Sequence, residues 1–208
     1  MSSVGVDAII GPASSVNLLT TLGASVSDGV LTCSPTASAL SLDAFPDNGL
    51  LLRTVPSDSL QATAIARVVE QSGSASATLV YLDDAYGRPF AEATAAAMRA
   101  NGTTVAASIG FKAGADSIEA AVSAVVTTSP QVVVVIADKS TGPAIISAID
   151  DASAATTPTY VVNDAIRRPD ASAVPFGRGL IDRISGVSPL AYPVSKDFLS
   201  SPIGRAHV

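Results

Sequence analysis

The sequence predicts an α/β protein in which parallel β-strands alternate with α-helices. Short apolar runs, such as QVVVVIA at 131–137, have the length and composition of parallel strands that are buried on both faces. Segments of about 10 to 15 residues with helical spacing separate these runs, which indicates βαβ units in a doubly wound sheet. Both observations hold along most of the chain.

Composition narrows the class of protein further. The chain has 208 residues, of which 48% are hydrophobic and 14% charged, enough for one large domain or two small ones. No apolar stretch reaches the roughly 18 uninterrupted residues of a membrane span. The net charge is −6 and no cluster of Lys and Arg appears, so neither a nucleic-acid groove nor a face for anionic membranes is expected. The single cysteine, Cys33, excludes an internal disulfide.

The first part of the chain contains three predicted strands and one helix. Proline directly follows each of the first two strands, and a serine cap precedes leucines at helical spacing. The strands are predicted at 6–11, 29–34 and 50–55, and the helix at 14–29. No signal peptide precedes the first strand, so we expect that the start of a longer protein is missing.

The second part alternates regularly. A helix over 56–73 opens with Asp58 three residues before Gln61, close to a capping box, and the helix over 88–101 ends at Asn101-Gly102. The remaining helices are predicted at 116–129 and 141–152, and the strands at 77–82, 103–111, 131–137, 158–163 and 183–189.

These elements predict two lobes that meet near residues 55–58. Residues 1–56 form a partial lobe 1, which has too few elements for a self-sufficient sheet. Residues 57–187 form a complete lobe 2. Residues 188–208 are an unassigned return segment or tail. We expect an apolar edge or face of lobe 1 to be exposed, which favours homodimer formation or covering by a partner.

The loops after the strands are the predicted site. In parallel α/β sheets, ligands bind beyond the carboxyl ends of the strands. The first two loops offer serine hydroxyls and backbone N–H groups at a helix start, a seat for a carboxylate, while the later loops offer carboxylates and a tyrosine. Each of these residues also has a simpler interpretation as a cap or turn residue. The combination suits a zwitterion such as an amino acid. The loops contain Ser14, Ser15, Thr36, Ala37, Ser38, Asp83, Asp84, Tyr86, Asp138, Asn163 and Asp164.

Four motifs in order carry a family resemblance: GPASS, SPTAS, RTVPSDSLQATAIA and LVYLDDAYGR. Over roughly residues 4 to 165 the chain resembles the type I periplasmic binding proteins, and most of all the leucine/isoleucine/valine-binding proteins of ABC importers. The resemblance implies a clamp of two Rossmann-like lobes with parallel sheets, with lobe 1 incomplete here. It also implies an extracytoplasmic protein without cofactor or enzymatic activity, whose partners are a small solute and the ABC permease subunits.

The resemblance also assigns residues. Ser15 and Ser38, the latter in place of the family threonine, would hold the α-carboxylate of the ligand, and Thr36 and Ala37 would offer backbone atoms. Tyr86 would line the cleft from the second lobe.

Two further assignments depart from the family pattern. Asp164 would pair with the ligand ammonium, although this needs a small insertion at 152–158. Asp138 falls near a family tyrosine, where an unpaired buried charge is costly. It indicates a ligand with a polar or cationic group, or a carboxylate that faces water. With lobe 1 incomplete, we expect weak or absent ligand binding.

Two other functions stay open. A sensory ligand-binding domain would use the same residues and differ only in its output. An acidic Mg²⁺ site of Asp83, Asp84 and Asp138, with Lys139 nearby, would serve a phosphoryl-transfer or phospho-acceptor domain. A serine hydrolase is disfavoured, because the only histidine is His207 in the tail.

Overall fold

The computed structural model describes residues 5–153, 156–166 and 176–189. Its first sheet has three parallel strands in the order β1-β2-β3. The connection from β1 to β2 is helix α1, and a short 3-10 helix lies between β2 and β3. The bounds are β1 Ala8–Ile10, α1 Ser15–Ser27, β2 Leu31–Ser34, the 3-10 helix Leu40–Leu42, and β3 Leu51–Arg53.

The second sheet has five parallel strands in the order β5-β4-β6-β7-β8. Its strands are β4 Ser76–Leu82, β5 Thr104–Phe111, β6 Val132–Ile136, β7 Thr159–Val162 and β8 Ile184–Gly186. Its helices are α2 Asp58–Gln71, α3 Gly87–Ala100, α4 Ala115–Thr127, α5 Thr141–Ala152 and the short α6 Arg178–Ile181, with a 3-10 helix at Asp164–Ile166.

The predicted α/β class with parallel strands is confirmed, and each predicted strand and helix lies within a few residues of its expected place. The prediction missed α6 and the two 3-10 helices, which are too short for a periodic pattern. The capping box at Asp58 is wrong. Ser57 is the N-cap of α2 and its Oγ accepts from the Ser59 N–H at 3.1 Å, so Asp58 is already helical.

The second sheet is buried on both faces, as its apolar runs predict. Successive valines of β6 alternate between two clusters: Val132 and Val134 pack with α2 and α3, whereas Val133 and Val135 pack with α4 and α5. All of these valines are 2% exposed or less. Each contributes roughly 1.5–3 kcal/mol to the free energy of unfolding by leaving water.

The first sheet is covered on one face only within the described part of the chain. On the α1 side lies a cluster of Leu18, Leu22, Ala37, Ala39 and Leu42. On the opposite face, Ile10, Cys33 and Leu52 are paired side by side across the three strands. Ile10 is 82% exposed and Leu52 is 51% exposed. We call this surface the open face of the first sheet.

None of the helices in the described ranges is long and apolar enough to cross a bilayer.

Candidate functional site

A cavity of about 340 Å³ lies where the carboxyl ends of the two sheets meet. The start of α1 and the loop after β2 form one wall, and the loops after β4, β6 and β7 form the other. We call it the cleft cavity. It is lined by Ser14, Ser15, Val16, Thr36, Ser38, Leu82, Asp84, Tyr86, Asp138, Asp164 and Ala165.

The structure therefore brings six of the seven predicted site residues together. They are Ser15, Thr36, Ser38, Tyr86, Asp138 and Asp164. The seventh, Ala37, is fully buried in the cluster under α1, and its N–H donates to Ser34 Oγ at 3.2 Å. Its backbone N–H is thus already used inside the protein, and its ligand role stays a prediction for the carbonyl alone.

The serines at the start of α1 line the cavity, and their hydroxyl groups are available as hydrogen-bond donors. Ser14 Oγ accepts from the Asn17 N–H at 3.4 Å as the N-cap, and Ser15 Oγ accepts from the Ala39 N–H at 3.2 Å. Neither hydroxyl donates a hydrogen bond to the described residues. Two free hydroxyl donors at the positive end of a helix dipole favour an anion.

The hydroxyl of Thr36 differs from those of Ser14 and Ser15, and its predicted backbone contact with a ligand stays a prediction. Its hydroxyl donates to the Ala13 carbonyl at 2.7 Å, so its hydrogen is not available to a ligand. The bond ties the loop after β2 to the start of α1 and holds this wall in shape.

Tyr86 joins the two halves of the molecule. Its ring packs against the cluster under α1 and also against the cluster of the second sheet, where it meets Phe90 edge to face with ring centroids 5.8 Å apart. Burial, and after it the carboxylates of Asp58 and Asp164, raise the pKa of Tyr86 above its ordinary value. The hydroxyl therefore stays protonated at neutral pH and can donate a hydrogen bond.

The acidic pair after β4 builds the turn into α3. Asp84 Oδ1 accepts from the N–H groups of Tyr86 at 2.9 Å and Gly87 at 2.7 Å, which caps the helix. Asp83 forms an ion pair with Arg88. Gly87 is required here, because a Cβ at this position would overlap the carbonyl oxygen of Leu82.

Asp138 caps the start of α5. Its Oδ1 accepts from the backbone N–H groups of Ser140 at 2.8 Å and Thr141 at 2.7 Å, and from both of their hydroxyls at 2.7 and 2.8 Å. Burial raises the pKa of Asp138, but these hydrogen bonds outweigh it and hold the pKa below its ordinary value. Asp138 is thus an ionised carboxylate whose charge is compensated within its own loop.

The arrangement does not assemble the alternative magnesium site. Asp83, Asp84 and Asp138 are engaged separately, by an arginine and by two helix starts. Among the residues that the structure describes, no three acidic, histidine or cysteine side chains are placed to hold a metal ion.

Sequence reasoning missed Asp58 as a site residue. Asp58 is 2% exposed, its N–H donates to the Ser38 carbonyl at 2.9 Å, and its Oδ2 has no hydrogen-bond partner. Burial raises the pKa of Asp58 to about 7, against the opposing hydrogen bond with the side chain of Ser38 and with further help from the nearby Asp164. The motif contained a hint, since an Asp that follows a serine cap is not needed for capping.

Asp58 lies at a second, smaller cavity of about 170 Å³ that adjoins the first. The two cavities share Ser38 and Asp164. Gln61 also lines the second cavity: its Nε2 donates to the Val187 carbonyl at 3.3 Å, and its buried Oε1 has no partner. Two residues that line this cavity thus each carry a buried acceptor without a donor, which favours a positively charged or donor-rich group nearby.

Of the unassigned segment 188–208, Ser188 and Pro189 line this second cavity. His207 and the other residues from 190 onward lie outside the described part of the chain.

Comparisons with known proteins identify a family and a fold. The family model described as "Receptor family ligand binding region" matches residues 1–197. The fold is similar to an extracellular ligand-binding receptor from Rhodopseudomonas palustris HaA2, at a TM-score of 0.70 and 18% identity over 77% of this chain and 44% of that one. It is also similar to an ABC transporter substrate-binding protein from Desulfitobacterium hafniense, at a TM-score of 0.60 and 20% identity over 80% of this chain and 54% of that one.

The chain spans about half of the length of these two solved structures. At such identities the likeness shows the fold alone. It confirms the predicted type I periplasmic binding protein architecture. No curated protein matches the sequence.

Proposed function

The chain belongs to the family described as "Receptor family ligand binding region", and on this basis we propose that it is an extracytoplasmic solute-binding protein of an ABC importer. It binds an amino acid or a similar small zwitterion in the cleft cavity and hands it to the permease subunits. It acts as a binding protein, without catalysis or cofactor.

The charge pattern of the cleft is the observation that carries this proposal. One wall offers unspent serine donors at the start of α1, which suit a carboxylate. The other side offers Asp164 and, at the adjoining cavity, the unpartnered Oδ2 of Asp58, which suit an ammonium group. A zwitterion that spans the cavity satisfies both walls at once.

A branched-chain amino acid is the narrower proposal. Val16, Leu82 and Ala165 give the cleft cavity an apolar part that an aliphatic side chain could fill. The carboxylate of Asp138 does not oppose such a ligand, because four hydrogen bonds from its own loop compensate its charge.

Thermal-shift screening tests the proposal. The 208-residue chain is heated with millimolar L-leucine, L-isoleucine, L-valine, L-glutamine, L-lysine or L-glutamate, each with and without Mg²⁺. A ligand that binds only the native state raises the melting temperature. We expect an aliphatic amino acid to do so without metal, and Ser15→Ala and Asp164→Asn to abolish the shift.

The control is Asp151→Asn, which changes an exposed carboxylate on α5 and should leave the shift unchanged. A shift with Mg²⁺ alone would refute the transport function and support the acidic site.

A sensor is the second candidate, favoured by the receptor description of the family and of one structural neighbour. Import and sensing share the ligand site and differ in the partner. An ABC permease gene beside the coding sequence would support import. A signalling domain on the same polypeptide would support sensing.

We also propose a second copy of the chain as the cover of the open face. None of the strand residues on this face is charged, so two copies can meet there without charge repulsion. Light scattering after size-exclusion chromatography should give a dimer that Ile10→Glu converts to a monomer. Ile181→Glu, on α6, is the control. A wild-type monomer at high concentration would contradict this.

The extracytoplasmic location has its own test. Fractionation of cells that express the natural gene should place the protein in the periplasm or at the cell surface. Recovery in the cytoplasm alone would contradict the importer and the extracellular sensor together.

A further inference from the structure

Asn163, at the carboxyl end of β7, is a buried polar residue to which neither the motifs nor the comparisons give a role. It is 1% exposed. Its Oδ1 accepts from the Ala137 N–H at 3.1 Å, and its Nδ2 donates to the Tyr86 hydroxyl at 3.2 Å. The side chain therefore links the ends of β6 and β7 to the tyrosine in the wall of the cleft cavity.

The direction of these bonds is fixed by chemistry. A backbone N–H can only donate, so the oxygen of the Asn163 amide must face Ala137. The amide nitrogen then faces Tyr86, and the Tyr86 oxygen must accept. A phenolic hydrogen prefers the plane of the ring, so the hydrogen of Tyr86 lies on the side of the oxygen away from Asn163.

That hydrogen has no acceptor among the described residues. Tyr86 lines the cleft cavity and donates no hydrogen bond within them. A buried hydroxyl group that donates no hydrogen bond destabilises the protein unless a ligand accepts the bond. By contrast, Asp58, which lines the adjoining cavity, has an acceptor atom without a donor, its Oδ2.

We propose that Asn163 is a positioning residue which makes Tyr86 a hydrogen-bond donor to the ligand, so that the second lobe selects a ligand with an acceptor atom at this point. The inference rests on the proposed binding function. It adds that the ligand must have a hydrogen-bond acceptor, and not a donor, next to Tyr86. The variant Asn163→Asp tests this polarity with little change of shape. Its new carboxylate would accept from the Tyr86 hydroxyl and withdraw the hydrogen from the cavity.

The first measurement needs no ligand. In the ¹⁵N–¹H spectrum of the 208-residue chain, the side-chain amide signals of Asn163 are identified by their loss in Asn163→Asp. Tyr86→Phe should move one of the two Asn163 amide protons upfield, because it removes the acceptor. Tyr81→Phe is the matched control and should leave these signals in place. If Tyr86→Phe leaves both signals unmoved, the inference is overturned.

The second measurement uses L-leucine as the probe. We expect Asn163→Asp and Tyr86→Phe each to weaken its binding about tenfold, the cost of one lost hydrogen bond. The double variant should bind no more weakly than either single one, since both changes remove the same donor. Asn101→Asp, an exposed change at the end of α3, is the control for added charge.

The outcomes separate the two claims. Wild-type binding of L-leucine with unchanged affinity in Asn163→Asp would overturn the role of Asn163 and leave the binding function standing. If no amino acid binds the wild-type chain while Tyr86→Phe still moves the Asn163 signals, the proposed function fails and the positioning of Tyr86 stands. A merely structural role of Asn163 would lower the melting temperature and give additive losses in the double variant.

Discussion

Asp58 gives the sharpest prediction, because a buried carboxyl group links stability to pH. Its Oδ2 has no hydrogen-bond partner, and burial raises its pKa from the usual 3.8 to about 7. In the folded chain the group therefore keeps its proton up to about pH 7, whereas in the unfolded chain it loses the proton near pH 4. The native state binds more protons in this window, so the free energy of unfolding falls as the pH rises through it.

The magnitude follows from the width of that window. A pKa raised by about three pH units, at about 1.4 kcal/mol per unit, lowers the free energy of unfolding by roughly 4 kcal/mol between pH 4 and pH 7. Above about pH 7 the loss is complete and the curve is flat. For a chain of this size, 4 kcal/mol corresponds to a melting temperature lower by roughly 10 °C.

The perturbation is Asp58→Asn, which keeps the shape and removes the titration. We expect the variant to match the wild type at about pH 4 and to be more stable by roughly 4 kcal/mol at about pH 8. Urea unfolding followed by circular dichroism measures both curves. Since the difference between two proteins is measured, the titration of groups that do not interact with Asp58 cancels.

The control is Asp7→Asn, an exposed change near β1, whose curve should run parallel to that of the wild type. Parallel curves for the wild type and Asp58→Asn would refute the reasoning. They would mean that water or a cation already interacts with the Asp58 carboxylate in the folded chain and keeps it ionised.

Three further predictions concern the walls of the cleft. Gly87→Ala should lower the free energy of unfolding by about 3 kcal/mol or more, because its Cβ would overlap the carbonyl oxygen of Leu82. A decrease below about 0.5 kcal/mol in urea unfolding would contradict this close contact. Asp84→Ala should cost about 1–2 kcal/mol by removing the cap of α3, whereas Asp84→Asn, which still accepts both bonds, should recover most of it. Binding of L-leucine should weaken about tenfold per pH unit below about pH 7, since Asp58 must lose its proton to accept an ammonium group, and titration calorimetry should find no such dependence in Asp58→Asn.

The predictable part of the fold is the part that local patterns determine. The alternation of valines in β6 requires two buried faces, and both clusters are present. Gly102 adopts a positive φ of 84° where the end of α3 was expected. The strand ends then bring the polar loops to one edge, because parallel strands share it.

The roles of single polar residues were less predictable, because they depend on contacts distant in sequence. Asp138 and Asp164 look alike as acids after strands, yet the first is committed to the start of α5. Asp58 resembles a helix cap until its contact with Ser38 buries it between the sheets. Asn163 precedes the more conspicuous Asp164, and both partners of its side chain, the Ala137 N–H and the Tyr86 hydroxyl, lie far from it in sequence.

The double packing of Tyr86 also has an optical consequence. The chain has no tryptophan and four tyrosines, so tyrosine emission is not masked by a stronger fluorophore. The ring of Tyr86 touches apolar clusters on both sides of the cleft. Any separation of the two sheets would expose this ring to water and change its emission. Tyrosine fluorescence can therefore report the separation of the two sheets, and Tyr86→Phe is the control that lacks this signal.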